Sequence, residues 1–267
     1  MLVKDELLDK VVERVREQMP EEWAPQVEEF VRQYYAWIPD EDLADRSPID
    51  VYGAAVAHWT FAQERTPGTS KVRVYNPHFE EHGWQSTHTA LEIVTDDMPF
   101  LVDSTRMGVN RQGYAIHLML HPIMKVRRDE AGRLIEVLNP DVEDGISESV
   151  IHVEVDRQTE TGVLEGLHEC IESVLGQLRA AVEDWQEMRG TVEGIVTELG
   201  EGLPTPIDEE DLEEAKAFLE WIANDNFTFL GYREYDLLTE DGEDLLRNVP
   251  GTGLGILRET SRQPISQ

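Results

Sequence analysis

The 267-residue sequence predicts an α+β chain: helices first, then an antiparallel sheet domain, then the opening elements of a second α+β domain. Three observations carry that expectation. Apolar residues recur at three- and four-residue steps up to about residue 62, the period changes to two from residue 71, and a Gly- and Pro-rich stretch, GEGLPTPIDEED, sets off the last part. With 40% of residues apolar, the chain can bury one large core or two modest ones.

The first helix is read from Leu7, Leu8, Val11, Val12, Val15 and Met19, and Pro20 ends it. Val27, Phe30, Val31, Tyr34 and Tyr35 share one face of a second helix that stops near Trp37 to Pro39. In the third, Ser47 is the N-cap, Pro48 the first helical residue and Asp50 the acidic partner at the third position. Its body, VYGAAVAHWTFA, is apolar on nearly all sides, so it should be buried, with Gly53, Ala54 and Ala57 admitting a close neighbour.

Strands follow at Val72 to Tyr75, Thr89 to Thr95, a long one from Tyr114 to Arg128, and Leu134 to Leu138 after a hairpin turn at 129–132. A helix from about Pro99 to Gln112 interrupts them, with Asp97 placed to cap it and Gly113 to end it. In SVIHVEVDR, Ile151, Val153 and Val155 point one way and His152, Glu154 and Asp156 the other. A near-heptad stripe from Leu164 to Trp185 predicts a helix of roughly 25 residues, whose overhang beyond the sheet should pack on the N-terminal helices or another subunit. Its extension to Leu199 meets Gly190 and Gly194. After the linker, Asp208 caps a helix of about Glu209 to Asn224, and NFTFLGYREYDL reads as strand.

Charge narrows the function. The chain has 23 Lys and Arg against 55 Asp and Glu, a net charge of −32, which opposes nucleic acid and acidic membrane surfaces as partners. No apolar run is long enough to span a bilayer, and the N-terminal helix mixes acidic residues into its apolar positions, unlike a secretory leader. One cysteine, Cys170, forms no internal disulfide, so the expected compartment is the cytoplasm.

Three groups of residues bear on chemistry. The strand-to-helix junction TDDMPFLVDSTRMGVNRQG offers the free amides and positive end of a helix N-terminus, which suit the carboxylate of a small ligand. Asp96, Asp97 and Asp103 repel an anion unless they cap the helix or hold the ligand's ammonium group, and an amino acid carries both charges. In the plainer alternative Asp97 only caps and Asp103 is solvated. His117, Met119 and His121 share a strand face opposite which His152 and Glu154 fall if the two strands pair. Such residues ligate zinc or iron, yet no HExxH or cysteine pair accompanies them, so no metal is expected. GTGLG at 251–255 lacks the third glycine and following helix of a dinucleotide loop and reads as a turn. No catalytic residues are assigned.

The stretches DLADRSPIDVYGAAVAHW, ALEIVTDDMPFLVDSTRMGVNRQGYAIHLMLHPIMKVRRDEAGRL and NDNFTFLGYREYDL resemble the N-terminal region of the large bacterial NAD-specific glutamate dehydrogenases. The resemblance covers nearly the whole chain, the middle stretch being the most specific. It implies a much longer polypeptide whose distant catalytic domain converts L-glutamate and NAD to 2-oxoglutarate, ammonia and NADH. In that family the N-terminal part is built from ACT-like modules, a ferredoxin-like antiparallel sheet with helices, and from other regulatory domains. ACT domains commonly bind amino acids at the turn after their first strand, so the effector-binding residues implied here are Asp96, Asp97, Met98, Pro99, Phe100, Leu101, Asp103 and Asn110.

Two departures stand out. Many amino-acid-binding ACT domains carry glycine after the proline where this chain has Phe100. An ACT domain also has a strand after its second helix, a place the strand at Val72 to Tyr75 is expected to fill. The expected organisation is a helical segment 1–66, an ACT-like domain 67–200, and a linker with a truncated further domain 201–267. The role expected is regulation or oligomerisation of a dehydrogenase whose NAD binds elsewhere, with the rest of the polypeptide, further copies of the chain and an amino-acid effector as partners. The fragment itself is expected to hold no cofactor and to be inactive. The alternative is a pure subunit-assembly module without a ligand.

Overall fold

The computed structural model describes residues 4–44, 46–201, 208–240 and 243–258. Helices α1 (Lys4–Gln18), α2 (Ala24–Tyr34), α3 (Asp40–Leu43) and α4 (Pro48–Ala62) come first. The apolar stripe read for α1 is buried at Leu7, Leu8, Val11, Val12 and Val15. Ser47 caps α4, accepting from the Ile49 amide at 3.2 Å, but Asp50 does not close a capping box: its carboxylate accepts from the Gln85 amide at 3.1 Å. Gly53 has the close neighbour expected of it, since a Cβ there would lie 2.4 Å from the Cβ of Trp84.

Strands β1 (Lys71–Tyr75), β2 (Thr89–Asp96), β3 (Ile116–Leu120), β4 (Ile123–Arg128), β5 (Leu134–Leu138) and β6 (Ile146–Val155) form one antiparallel sheet in the order β1-β2-β6-β4-β5, with β3 also on β6. The short helix α5 (Phe79–His82) lies between β1 and β2, α6 (Leu101–Arg111) between β2 and β3, and α7 (Thr161–Glu201) follows β6. This is the ferredoxin-like order of an ACT domain. Its last position, normally filled after the second helix, is taken by β1, which pairs antiparallel with β2 from Lys71↔Val94 to Tyr75↔Ala90.

The long strand expected from Tyr114 to Arg128 is two strands in line along β6. His121 and Pro122 separate them because proline has no N–H to give the ladder. The Pro122 carbonyl still accepts from the Val150 amide at 3.0 Å, so the sheet bends there without parting.

Both faces of the two inner strands are covered; seven of the eight residues of β2 are buried. On one face Leu118, Leu120, Met124, Val126, Val137 and Val150 pack with Val11, Val27, Phe30, Val31, Tyr34, Val51 and Ala55 of the N-terminal helices. Each buried Val, Leu, Met or Phe among them contributes roughly 1.5–3 kcal/mol, so the helical segment and the sheet share a core. The opposite face, with Leu91, Ile93, Ile151 and Val153, is left to α6 and the start of α7. These two helices touch where Ile171 and Val174 sit against Gly108, and His168 of α7 reaches the Val72 carbonyl at 3.2 Å.

The chain divides into two compact units, Met1–Leu175 and Gly176–Gln267, a division that falls inside α7; the boundaries read from sequence lay at 66 and 200. α7 is a single helix through Gly190 and Gly194, each of which faces open space. A solvent-facing glycine costs a helix only about 1 kcal/mol, too little to break one so long. In the second unit the overhang binds C-terminal residues: Asp184 accepts from the Gly255 amide at 2.7 Å and from Arg258 Nε at 2.6 Å, which holds its carboxyl below the usual range. Asp208 caps α8 (Glu209–Trp221) as expected, and the chain then kinks over Ile222–Asn226, where Asn224 and Asp225 leave the helical backbone conformation. The strand read in NFTFLGYREYDL is two pieces, β7 (Gly231–Tyr232) and β8 (Tyr235–Glu240). β8 pairs with β9 (Glu243–Asn248), and β7 with β10 (Leu254–Gly255) of the GTGLG segment. Most of the linker, residues 202–207, lies outside the described residues.

Candidate functional site

Two places on the first unit gather polar side chains: the β2–α6 turn singled out by sequence, and a buried cluster between the sheet and α4.

At the turn, Asp96 ends β2 and accepts from Arg65 Nη2 at 2.6 Å. Asp97 does not cap α6. Its backbone N–H donates to the Ser147 carbonyl at 3.0 Å and its carboxylate accepts from Ser149 Oγ at 2.7 Å, both on β6, so the neighbouring strand has captured the group expected at the helix. His121 Nε2 also meets that hydroxyl, at 2.9 Å, and burial lowers the pKa of this imidazole against an opposing pull from Asp97. Met98 and Pro99 carry the chain to Phe100, which takes a left-handed conformation (φ 67°) and leaves its ring half exposed. Leu101 is buried and Asp103 exposed in the first turn of α6, whose amides no side chain caps. The turn therefore brings Asp96 to Asp103 together. Asn110 is not among them: nine residues further along α6, it stands about 14 Å away at a rise of 1.5 Å per residue.

The histidine strand face divides differently from the expectation. β3 does pair with β6, but Leu118 and Leu120 oppose Glu154 and His152, and Met119 opposes Val153 on the other side. A bulge between Ile116 and Leu118 turns His117 outward, 2.7 Å from Asp156. His117 and His121 are thus apart from His152. Cys170 is half-buried, its Sγ 3.9 Å from the Gly108 carbonyl.

His152 belongs instead, with Glu154, to a cluster whose members Arg46, His58, Arg73 and Glu92 the sequence reading did not connect with it. Register places Arg73, Glu92 and His152 in a row across β1, β2 and β6, on the face that α4 covers. Glu92 Oε1 accepts from the Tyr75 hydroxyl at 2.8 Å, and Arg73 donates to Oε2. Glu154, two residues along β6, takes a two-pronged contact from Arg46 at 2.6 and 3.1 Å and a third from Ser86 at 3.2 Å. His58 of α4 faces the Tyr34 hydroxyl through Nδ1 at 3.0 Å. Burial alone raises Glu92, but His58, His152 and Arg73 outweigh it and hold the carboxyl at about 2. Burial lowers His58 to about 4. Imidazoles and a carboxylate are the residue types that ligate zinc, and His58, Glu92 and His152 each offer a donor atom within 4.8 Å of the others. The available signal was a lone charge in an apolar strand, ALEIV, and a lone imidazole in an apolar helix.

A second charged cluster lies beneath the turn. Arg65 and Arg128 both bind Glu148, at 2.7 and 2.6 Å, and all three are almost fully buried. No helix among the described residues is long and apolar enough to cross a membrane.

Comparison with known proteins bears on the turn and the sheet together. The chain is 41% identical over 255 residues to the NAD-specific glutamate dehydrogenase of Halomonas elongata, covering 95% of this chain and 16% of that protein. It is 38% identical over 218 residues to the enzyme of the same name from Pseudomonas aeruginosa, covering 81% and 13%. With that of Mycobacterium tuberculosis it shares 23% over 205 residues, covering 76% and 12%. The chain thus spans about a sixth or less of the length of these curated relatives. A family model described as "Glutamate dehydrogenase, ACT1 domain" matches residues 30–171, more than half of the chain and the stretch from α2 through the sheet into α7. The chain belongs to the glutamate dehydrogenase ACT1 domain family.

Proposed function

We propose that this chain is a regulatory region of a large NAD-dependent glutamate dehydrogenase, which as a whole oxidises L-glutamate to 2-oxoglutarate and ammonia with NAD, and that the chain itself performs no chemistry. The observation that carries the reading is the β2–α6 turn: an exposed loop of the family's sheet that leads into uncapped helix amides beside Asp96, Asp97 and Asp103. Amides and dipole suit a carboxylate, and the acidic side chains suit an ammonium group. An amino acid is the ligand with both. Its binding shifts the module relative to the rest of the enzyme and alters activity at a distant site.

Calorimetric titration of the 267-residue protein with a panel of amino acids tests this. Heat is expected for at least one, lost in Asp97→Ala and Pro99→Ala. No heat for any member rejects the sensor, and NADH formation from glutamate by this chain rejects the non-catalytic assignment.

A second reading is favoured by Phe100, whose ring occupies the turn, and by Ile123, Ile135 and Ile146, each about half exposed at the β4–β5 end of the sheet. On that reading these apolar groups make subunit contacts and no small molecule binds. Sedimentation then shows concentration-dependent association that amino acids leave unchanged.

A further inference from the structure

We propose that His58, Glu92 and His152 form a buried site for one divalent metal ion of the zinc class, which clasps α4 to the two central strands. Three observations converge. The donors come from three separate elements and are at most 1% exposed, with His152 Nδ1 already 3.6 Å from Glu92 Oε1. Bonds of roughly 2.0–2.2 Å in a tetrahedral site put neighbouring donors about 3.4 Å apart, so the cluster needs only a small contraction.

The second observation is unmet hydrogen bonding. Nε2 of His58 and Nδ1 of His152 make no hydrogen bond, the latter standing 3.6 Å from Glu92 Oε1, whereas most buried polar side-chain atoms in proteins have a partner. A metal ion takes up such a lone pair directly.

The third is the surrounding shell. Metal-bound imidazoles and carboxylates are oriented by partners on their other atom. His58 Nδ1 has the Tyr34 hydroxyl, His152 Nε2 has Glu154 Oε1 at 3.5 Å, and the second oxygen of Glu92 has Arg73. Two carboxylates border the space, Glu92 and Glu154, each also paired with a guanidinium, Arg73 and Arg46, that is 29% and 28% exposed at the rim. Imidazole with carboxylate suits zinc, and the Tyr75 hydroxyl borders the same space. The proposal is independent of the regulatory reading, because it holds or fails whether or not an amino acid binds.

The 267-residue protein refolded with and without zinc, then gel-filtered, should retain a single zinc per chain by plasma emission and melt at a higher temperature with zinc. Cobalt in its place should give the visible absorption of a tetrahedral centre. His58→Gln and His152→Gln should lose the metal, Tyr34→Phe should weaken it by roughly 10–100-fold, and His117→Gln should not affect it. If His58→Gln fails to fold by circular dichroism, the zinc-dependent melting of the wild type and of Tyr34→Phe decides. Wild-type protein that retains no zinc and shows no melting shift, or zinc held equally by a folded His58→Gln, overturns the proposal.

Discussion

Glu148 is the acceptor for two buried guanidinium groups, and its position shows why single polar residues weigh so heavily in this unit. Arg65 also holds Asp96 and the Thr69 carbonyl, and Arg128 reaches the Ala62 and Gly132 carbonyls, so the pair ties the end of α4 to β2, β6 and the β4–β5 hairpin. Glu148→Ala leaves both cations inside with too little counter-charge, and removal of one partner from a buried ion pair costs about 3–5 kcal/mol. Urea denaturation should show that loss; a change under about 1 kcal/mol would mean that water already screens the group. Phe100 poses the opposite case. A bulky residue at positive φ is strained, and its half-exposed ring gives little back, whereas glycine adopts the conformation freely. Phe100→Gly should therefore be neutral or stabilising by up to about 1 kcal/mol, even though glycine loosens the unfolded chain. Thermal melts check this, and a clear drop would show that the ring packs on something it needs.

At the scale of elements, most helices and strands were legible because apolar period and punctuation agreed with the final burial. Ser47, Asp208 and the 129–132 turn were read correctly for that reason, Asp129 accepting from the Ala131 and Arg133 amides within the turn. What was not legible depended on partners remote in sequence. Asp97 looks like a cap until β6 presents Ser149, and nothing local reveals that Glu92 will face α4. Pro122 was visible, yet a strand kept in line by its neighbour's hydrogen bonds cannot be told locally from one that ends. The His121 position, at that break, also gives a pH dependence. Its folded pKa lies below the ordinary 6.5, so the unfolded chain binds a proton first as pH falls. His121 thus contributes stability that is complete above 6.5 and lost as pH descends towards its lowered value. Denaturation at a series of pH values should show stability falling in that window, with a shallower fall in His121→Gln; equal slopes would remove His121 as a source.

For the whole molecule the dominant quantity is the net charge of −32, which the sequence displays without any need of a fold. The arginines of ion pairs such as Arg16–Glu28 and Arg127–Asp144 are already counted in that total, so the excess of carboxylates stands, and exposed pairs contribute little. Repulsion among the remaining carboxylates opposes compaction and is screened within about 10 Å at 0.1 M salt. Melting temperature should consequently rise from low to moderate sodium chloride; a fall would show that attractive pairs outweigh the repulsion. The roofing of β2 and β6 on both sides has a separate outcome. Their amide protons are reachable by solvent only when the entire first unit opens, so deuterium uptake at these two strands would be the slowest in the chain and would measure its global opening free energy directly.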